Sequence, residues 1–252
     1  MAQVVRKSKA LAAGFLKYRA IGIAAYIACA ACFILFAVNM FSFNFKLLLP
    51  LMVGMGVCGV IGGKMMQKAN TLGSGLEGEG VTAQIIERLP ETFCGFQNLT
   101  VTFDGEESEL DMVVVGLSGV FVIETKNMNG TICGDGESKT WTQHKVGQQG
   151  TPYSRDFYSP VKQVGTHVYR LANYLRQNGF AVHVDKMVFF SNPETQLALT
   201  NVPPHTPVFD ARHNGAEKML QHIYAQPQKL SREELLRLVL FLDGKDPDSV
   251  TL

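Results

Sequence analysis

The first 68 residues contain no Asp and no Glu, yet they carry eight basic side chains (Arg6, Lys7, Lys9, Lys17, Arg19, Lys46, Lys64 and Lys68). The remaining 184 residues hold 15 basic and 22 acidic side chains, a balance of −7 that the whole-chain net charge of +1 conceals. Such asymmetry excludes a single uniform surface and indicates two parts with different surroundings. Internal repeats and low-complexity tracts are absent too. With 46% hydrophobic and 18% charged residues, the chain is neither disordered nor collagen-like.

Metal and redox signatures are also missing. Of five cysteines, Cys29, Cys32 and Cys58 lie in apolar runs, and only Cys94 and Cys133 remain for the rest of the chain. A Cys-x-x-Cys without a second ligand pair reads as small apolar packing, and a reducing compartment needs no disulfides. The six histidines (His144, His167, His183, His205, His213, His222) form no HExxH and no Cys/His zinc spacing, so they read as ordinary surface or partly buried residues. His167 falls one helical turn after Gln163 and could approach a site there.

What the first segment does have is apolar length. Ala20 to Phe45 is a run of 26 uncharged residues, about 39 Å as a helix against a hydrocarbon core of about 30 Å. Lys46 interrupts, and Leu47 to Gly63 adds 17 more. Two transmembrane helices, at about 20–45 and 47–63, turning around Phe41 to Lys46, are the expected form. A cleaved signal peptide would have an apolar core of only about 7–15 residues. Five basic residues precede the first span and two follow the second, so the positive-inside bias puts both ends in the cytoplasm, at the cell inner membrane. Gly54, Gly56 and Gly59 spell a dinucleotide-binding pattern, but no strand precedes it, so no nucleotide site is expected. Gly59 and Gly63 form a small-xxx-small pair that suits hairpin packing or a homo-oligomer.

Three domains are expected: a membrane anchor over 1–68, a catalytic-type domain over 69–200, and an α-rich extension over 201–252. Lys64 to Gly75 reads as a polar linker, and Val81, Ile85, Ile86 and Leu89 recur at helical spacing before Pro90. The period then becomes that of strands. Phe96–Phe103, Leu110–Gly116 and Gly119–Lys126 are expected strands, joined by turns at Asp104-Gly105 and Ser118-Gly119. Val113–Val115 and Val120–Ile123 are continuous apolar runs, as in strands covered on both faces. A small hairpin (131–133 and 139–143), a polar loop from Val146 to Ser159, a helix from Pro160 to Gln177 and a strand from Val182 to Ser191 follow. Pro207–Asp210 reads as a short strand, and helices follow near 216–224 and 231–242, the last with a Ser231/Glu234 capping box. The fold class is mixed α/β.

Asp111 begins one apolar strand, and Glu124 and Lys126 end its hairpin partner. Antiparallel pairing can bring Asp111 to Glu124, while Glu124 and Lys126, two apart, share a face. Two carboxylates and an ammonium then converge. Carboxylate oxygens suit Mg²⁺, and a lysine suits the orientation of a phosphate or a water. Glu79 could add a third carboxylate. An ordinary ion pair at a strand end fits the same spacing, and on spacing alone both readings stand. Trp141 reads as core closure or base stacking. Lys139, Lys145, Arg155, Lys162 and Arg170 form a modest basic rim, and Asp104, Glu106, Glu107, Glu109 and Asp111 an acidic turn that would repel DNA.

Four separated blocks carry a resemblance: Gly78-Glu79; Glu109-Leu110-Asp111 with its valine run to Gly116; Gly119 to Glu124, Thr125, Lys126 and Asn127; and Pro160 to Gln163. In this order, over roughly Gly75 to Asn192, they resemble the nuclease-related domain (NERD) family, a branch of the PD-(D/E)XK nuclease superfamily. Leu110 stands where the superfamily's name has Pro. The resemblance implies a restriction-endonuclease-like αβββαβ core with a mixed sheet. It implies Mg²⁺-dependent (or Mn²⁺-dependent) cleavage of nucleic acid, DNA before RNA. It also implies Asp111 and Glu124 as metal ligands, Lys126 as the catalytic lysine, and Glu79 and Gln163 as supporting residues, Glu79 also near the metal. The alternative is a non-catalytic membrane-bound module of the same fold that binds DNA or a protein.

Overall fold

A helix apolar on every side cannot be the flank of a soluble core. α1 (Ala10–Phe41) and α2 (Leu48–Ile86), joined through a 3₁₀ turn at Phe45–Leu47, are both long and apolar enough to cross a membrane. This computed structural model describes residues 1–42, 45–147 and 150–247; residues 43–44 of the expected hairpin turn and the C-terminal residues 248–252 lie outside it. The stretch Lys9–Leu76 is one compact unit, and Met1–Ser8 with Glu77–Leu252 is the other.

Within the first unit the helices run antiparallel. Gly22 lies against Met66, Gly62 against Tyr26 and Gly73 against Phe15, so that a Cβ at these glycines would come within 2.9–3.1 Å of the facing side chain. Gly59 meets nothing within 4 Å, so the expected Gly59/Gly63 pair is not the seam of the hairpin. Large apolar side chains such as Ile27 (65% exposed) and Leu49 (71% exposed) face outward, the arrangement a lipid environment satisfies. The expected linker Lys64–Gly75 is helical instead, inside α2. Its glycines are small for packing: Gly73 and Gly75 sit against Phe15 and Leu11. Glycine content alone does not separate a flexible joint from a close helix crossing.

The second unit is built on a mixed sheet of order β1-β2-β3-β4-β8-β10. Its strands are β1 (Gln3–Arg6), β2 (Phe93–Phe103), β3 (Glu106–Gly116), β4 (Gly119–Lys126), β8 (Val184–Phe190) and β10 (Val208–Asp210). β2, β3 and β4 are antiparallel neighbours, while β1 on β2 and β8 on β4 are parallel. Asp104 and Gly105 both take positive φ, the geometry of a tight hairpin turn, and so join β2 to β3 without a loop. β1 departs from the sequence reading, which gave residues 1–68 wholly to the anchor. At four residues, with no apolar alternation, a strand of this kind leaves no periodic signal.

The sheet is covered on both faces, as its valine runs require. Val113, Val115, Val120, Val122, Val188 and Phe190 pack with Val161, Val164 and Leu171 of α3 (Pro160–Gln177). Met112, Val114, Phe121, Ile123 and Phe189 pack on the other side with Ala83 and Ile86 of α2 and with Met219 and Ile223 of α4 (Gly215–Tyr224). The core order α2-β2-β3-β4-α3-β8 is therefore αβββαβ, with three strands of a second sheet inserted before α3 and its fourth following β8. That second sheet has the order β7-β6-β5-β9, from β5 (Gly130–Asp135), β6 (Thr140–Val146), β7 (Pro152–Tyr158) and β9 (Thr195–Thr200). β7 replaces most of the expected polar loop 146–159; nearly all its side chains are exposed, so it shows no alternation to read, and residues 148–149 lie outside the described ones. α5 (Arg232–Asp243) ends the described chain behind the expected capping box, with both Ser231 and Glu234 bonds formed.

Trp141 closes the core. It is 1% exposed, stacks on Phe190 at 6.4 Å and 7°, and donates its ring N–H to the Asp135 carbonyl at 2.8 Å. Gly134 makes room for it, since a Cβ there would overlap the indole. We expect Trp141→Ala to destabilise the domain by about 3–5 kcal/mol, the usual loss for a buried large aromatic. Urea unfolding of the full chain in detergent measures this, and a loss below 1 kcal/mol would show that the indole is not a core element.

Candidate active site

The pairing of β3 with β4 runs from Gly116↔Gly119 up to Met112↔Ile123. One step further the two strands part, and Asp111 and Glu124 face each other on the α3 side. There the Asp111 side chain takes over the role of a backbone acceptor: Oδ2 accepts the Thr125 amide N–H at 2.8 Å. On its other side β3 loses a ladder pair as well. Gln97↔Met112 and Leu99↔Leu110 are paired, while Asn98, opposite Asp111, adopts a left-handed φ of 56°. The sheet is thus locally opened around one aspartate.

Glu124 is almost wholly enclosed, 1% exposed. Its Oε1 accepts from Lys126 Nζ at 2.6 Å, and the same ammonium donates to Gln163 Oε1 at 3.0 Å. Its Oε2 lies 3.2 Å from His167 Nδ1. The approach is within ion-pair distance, and neither atom has any other partner among the described residues. α3 presents Gln163 and His167 four residues apart on one face. Its start is fixed by Pro160 in the first turn and by the Ser159 cap.

Glu79, near the end of α2, accepts from Asn98 Nδ2 at 2.9 Å and from Gln97 Nε2 at 3.4 Å. Gly78 before it brings the helix close: a Cβ would lie 2.7 Å from Asn127 Cβ and 2.8 Å from Ser191 Oγ. The structure therefore gathers Asp111, Glu124, Lys126 and Gln163, and sets Glu79 beside them on its own pair of amides. His167, read from sequence as ordinary, is part of the group. Its signal was the four-residue spacing from Gln163. Asn98 and Gln97 had none, because their role follows from pairing across β2 and β3.

The electrostatics diverge between the two carboxylates. Burial pushes the Asp111 carboxyl well above the usual aspartate range, and the Glu124 charge pushes it the same way, against the opposing pull of Lys126 and the Thr125 amide. Burial also pushes Glu124 up, but His167 and Lys126 outweigh it and hold Glu124 below its ordinary value. Glu79 is raised by burial, with the Asn98 and Gln97 bonds opposing. Two neighbouring carboxyls pushed in opposite directions mark a pair short of positive charge. The acidic turn is partly neutralised: Arg170 bonds Glu106, the Glu107 carbonyl and Ser108.

Residues 74–191 match the nuclease-related domain. The chain carries a nuclease-related domain. Its boundaries enclose the core αβββαβ order and every residue of the group just described. The chain is also similar to an uncharacterized protein of Bacillus anthracis, 30% identical over 92 residues, which are 36% of this chain. The matched stretch spans 43% of that relative's length. No solved structure matches.

Proposed function

We propose that this protein is a membrane-anchored, metal-dependent nuclease of the PD-(D/E)XK type, hydrolysing phosphodiester bonds of nucleic acid, DNA first, at the cytoplasmic side of the inner membrane. The observation that carries the reading is the buried Asp111–Glu124 pair with Lys126 between Glu124 and Gln163. The basic residues flanking the apolar helices support the orientation.

The donor set fits a hard divalent cation such as Mg²⁺ or Mn²⁺. Glu124 Oε2 is buried without a hydrogen-bond partner among the described residues, and burial together with the Glu124 charge pushes the Asp111 carboxyl up, a strain that a cation would relieve. Mg²⁺ needs only one or two carboxylates and keeps several waters, so Asp111 and Glu124 suffice to hold it. Among the described residues no three His, Cys, Asp or Glu side chains converge as a metal cluster, so Glu79, engaged by Asn98 and Gln97, does not join the pair as a third ligand. When bound, such an ion supplies charge for the phosphate oxygens and lowers the pKa of a coordinated water. The chain's own groups do the rest. Lys126, fixed at two points, presents its remaining N–H to a phosphate oxygen or to the attacking water. Gln163 sets the ammonium's direction, and Glu79 adds negative charge from the side.

The test is cleavage of single- and double-stranded DNA and RNA by the full chain in detergent, with Mg²⁺ and with a chelator. Products that appear with Mg²⁺ and vanish on chelation are expected. Nucleic-acid binding that survives chelation, with no products on any substrate, would instead establish the non-catalytic module.

A further inference from the structure

Lys186 is in an unusual place. On β8, Val184, Val188 and Phe190 point into the core beneath α3, and Lys186 shares that face, half-buried between valines. A charge in a core layer is costly unless it is paired. The neighbouring carboxylate is already engaged: Asp185 bonds Lys229 at 2.9 Å and His183 at 3.1 Å. Among the described residues no carboxylate lies within ion-pair distance of Lys186, nor of Lys162 on the helix above it.

These two lysines line one open pocket of about 400 Å³, together with His205, Thr206, Tyr158 and Tyr169. The volume falls in the range of about 300–1,000 Å³ typical of small-molecule sites. Gly165 opens it: a Cβ there would stand 4.0 Å from Lys186 Nζ, so no side chain separates the helix from the ammonium. The Thr206 hydroxyl in the same wall is buried without a hydrogen-bond partner among the described residues, which itself calls for a ligand or a water. Tyr158 (52% exposed) and Tyr169 (62% exposed) supply flat apolar rings, and Tyr169 is steadied edge-on by Phe103 at 5.9 Å. The pocket is thus cationic at its floor and aromatic at its rim.

Along α3, Lys162, Gly165, Thr166 and Tyr169 form one stripe, and Gln163 and His167 form the next. One helix, α3, thus supplies residues to both the pocket and the carboxylate site, from different stripes. We propose that this pocket takes one nucleoside phosphate unit, its phosphate on Lys162 and Lys186 and its base on a tyrosine ring. The inference leans on the nuclease reading for one thing only, the source of the nucleotide: a strand held at Asp111 and Glu124 carries such units alongside.

The test is binding by the full chain in detergent with chelator present, using two probes, AMP and a fluorescently labelled single-stranded oligothymidylate. Lys186→Gln keeps the stem and removes the charge. Gly165→Met fills the pocket while raising helix propensity. We expect Lys186→Gln to weaken binding about tenfold and to reduce the salt slope by roughly one, as for a lost phosphate contact, and Gly165→Met to abolish it, both with unfolding midpoints no lower than wild type. Sensitivity of the oligonucleotide places a strand in the pocket, and sensitivity of AMP alone places a free nucleotide there. Wild-type affinity of both folded variants for both probes overturns the proposal. Because binding is read without Mg²⁺, a chain that never cleaves still binds here, and failure of the nuclease reading shows only in the separate cleavage assay.

Discussion

Asp111→Asn is expected to stabilise the protein at neutral pH and to remove the proposed cleavage activity. The first half follows from the direction of the aspartate's shift. Its folded pKa lies above the unfolded value of about 3.9, so the folded state binds the proton more tightly. The stability this confers is fully present below about 3.9 and is lost as pH rises through the folded pKa. At pH 7 an ionised Asp111 is therefore a burden on the fold. The amide has no charge to desolvate, keeps a carbonyl acceptor for the Thr125 N–H, and ends the repulsion with Glu124.

We expect the melting midpoint of the full chain in detergent to rise by a few degrees at pH 7 and to differ little from wild type near pH 3. Glu124 contributes with the opposite sign. Its folded value is depressed, so its stabilisation is present above about 4.3 and is lost as pH falls through that folded value. The contribution of this pair to stability therefore falls off on both sides of the acidic range, and the variant removes the loss on the alkaline side. Mg²⁺ should raise the wild-type midpoint by binding the native state alone and leave the variant unmoved. A midpoint that falls at pH 7 would mean that the Asp111 charge is structurally required rather than held for a ligand.

Lys126→Met has the reverse signature. Lys126 gives Glu124 Oε1 its bond at 2.6 Å, and Glu124 is too enclosed to find water instead. Removing one partner of a buried pair strands the other charge, a loss of about 3–5 kcal/mol in typical cases; His167 on the second oxygen moderates it. Cleavage should fall by about 10²–10³-fold, as for the removal of one preorganised donor in an active site. The two variants then separate the roles: both lose activity, one with a gain in stability and one with a loss. Equal melting midpoints for Lys126→Met and wild type would show that the ammonium is not the counter-charge of Glu124.

Much of this site was legible in the sequence because it sits where regular patterns end. The valine runs placed β3 and β4, the turn at Ser118-Gly119 paired them, and a period of two put Glu124 and Lys126 on one face. Gln163 entered only through the family resemblance, although the proline-started helix that carries it was legible. The parts that escaped are those whose position depends on neighbours far along the chain. β1 and β7 are held by partner strands and carry no alternation of their own. The break opposite Asp111 needs the Asn98 backbone in a left-handed turn, which asparagine tolerates but does not announce. Lys186 lies inside the expected strand Val182–Ser191 with no reading of its own, and the parallel pairing of β8 with β4 shows that it shares the core-facing side. The helical stretch Lys64–Gly75 misled for the opposite reason, since its glycines are explained by the facing helix.

Asp111, Glu124 and Lys126 are proposed to act together on a phosphodiester with a bound divalent cation. The most direct test is the initial rate of DNA cleavage in Mg²⁺ by the full chain, measured beside Asp111→Asn prepared in the same detergent. Chelatable cleavage by wild type, with none above background from the equally folded variant, is the predicted result. The same rate from both proteins would contradict it.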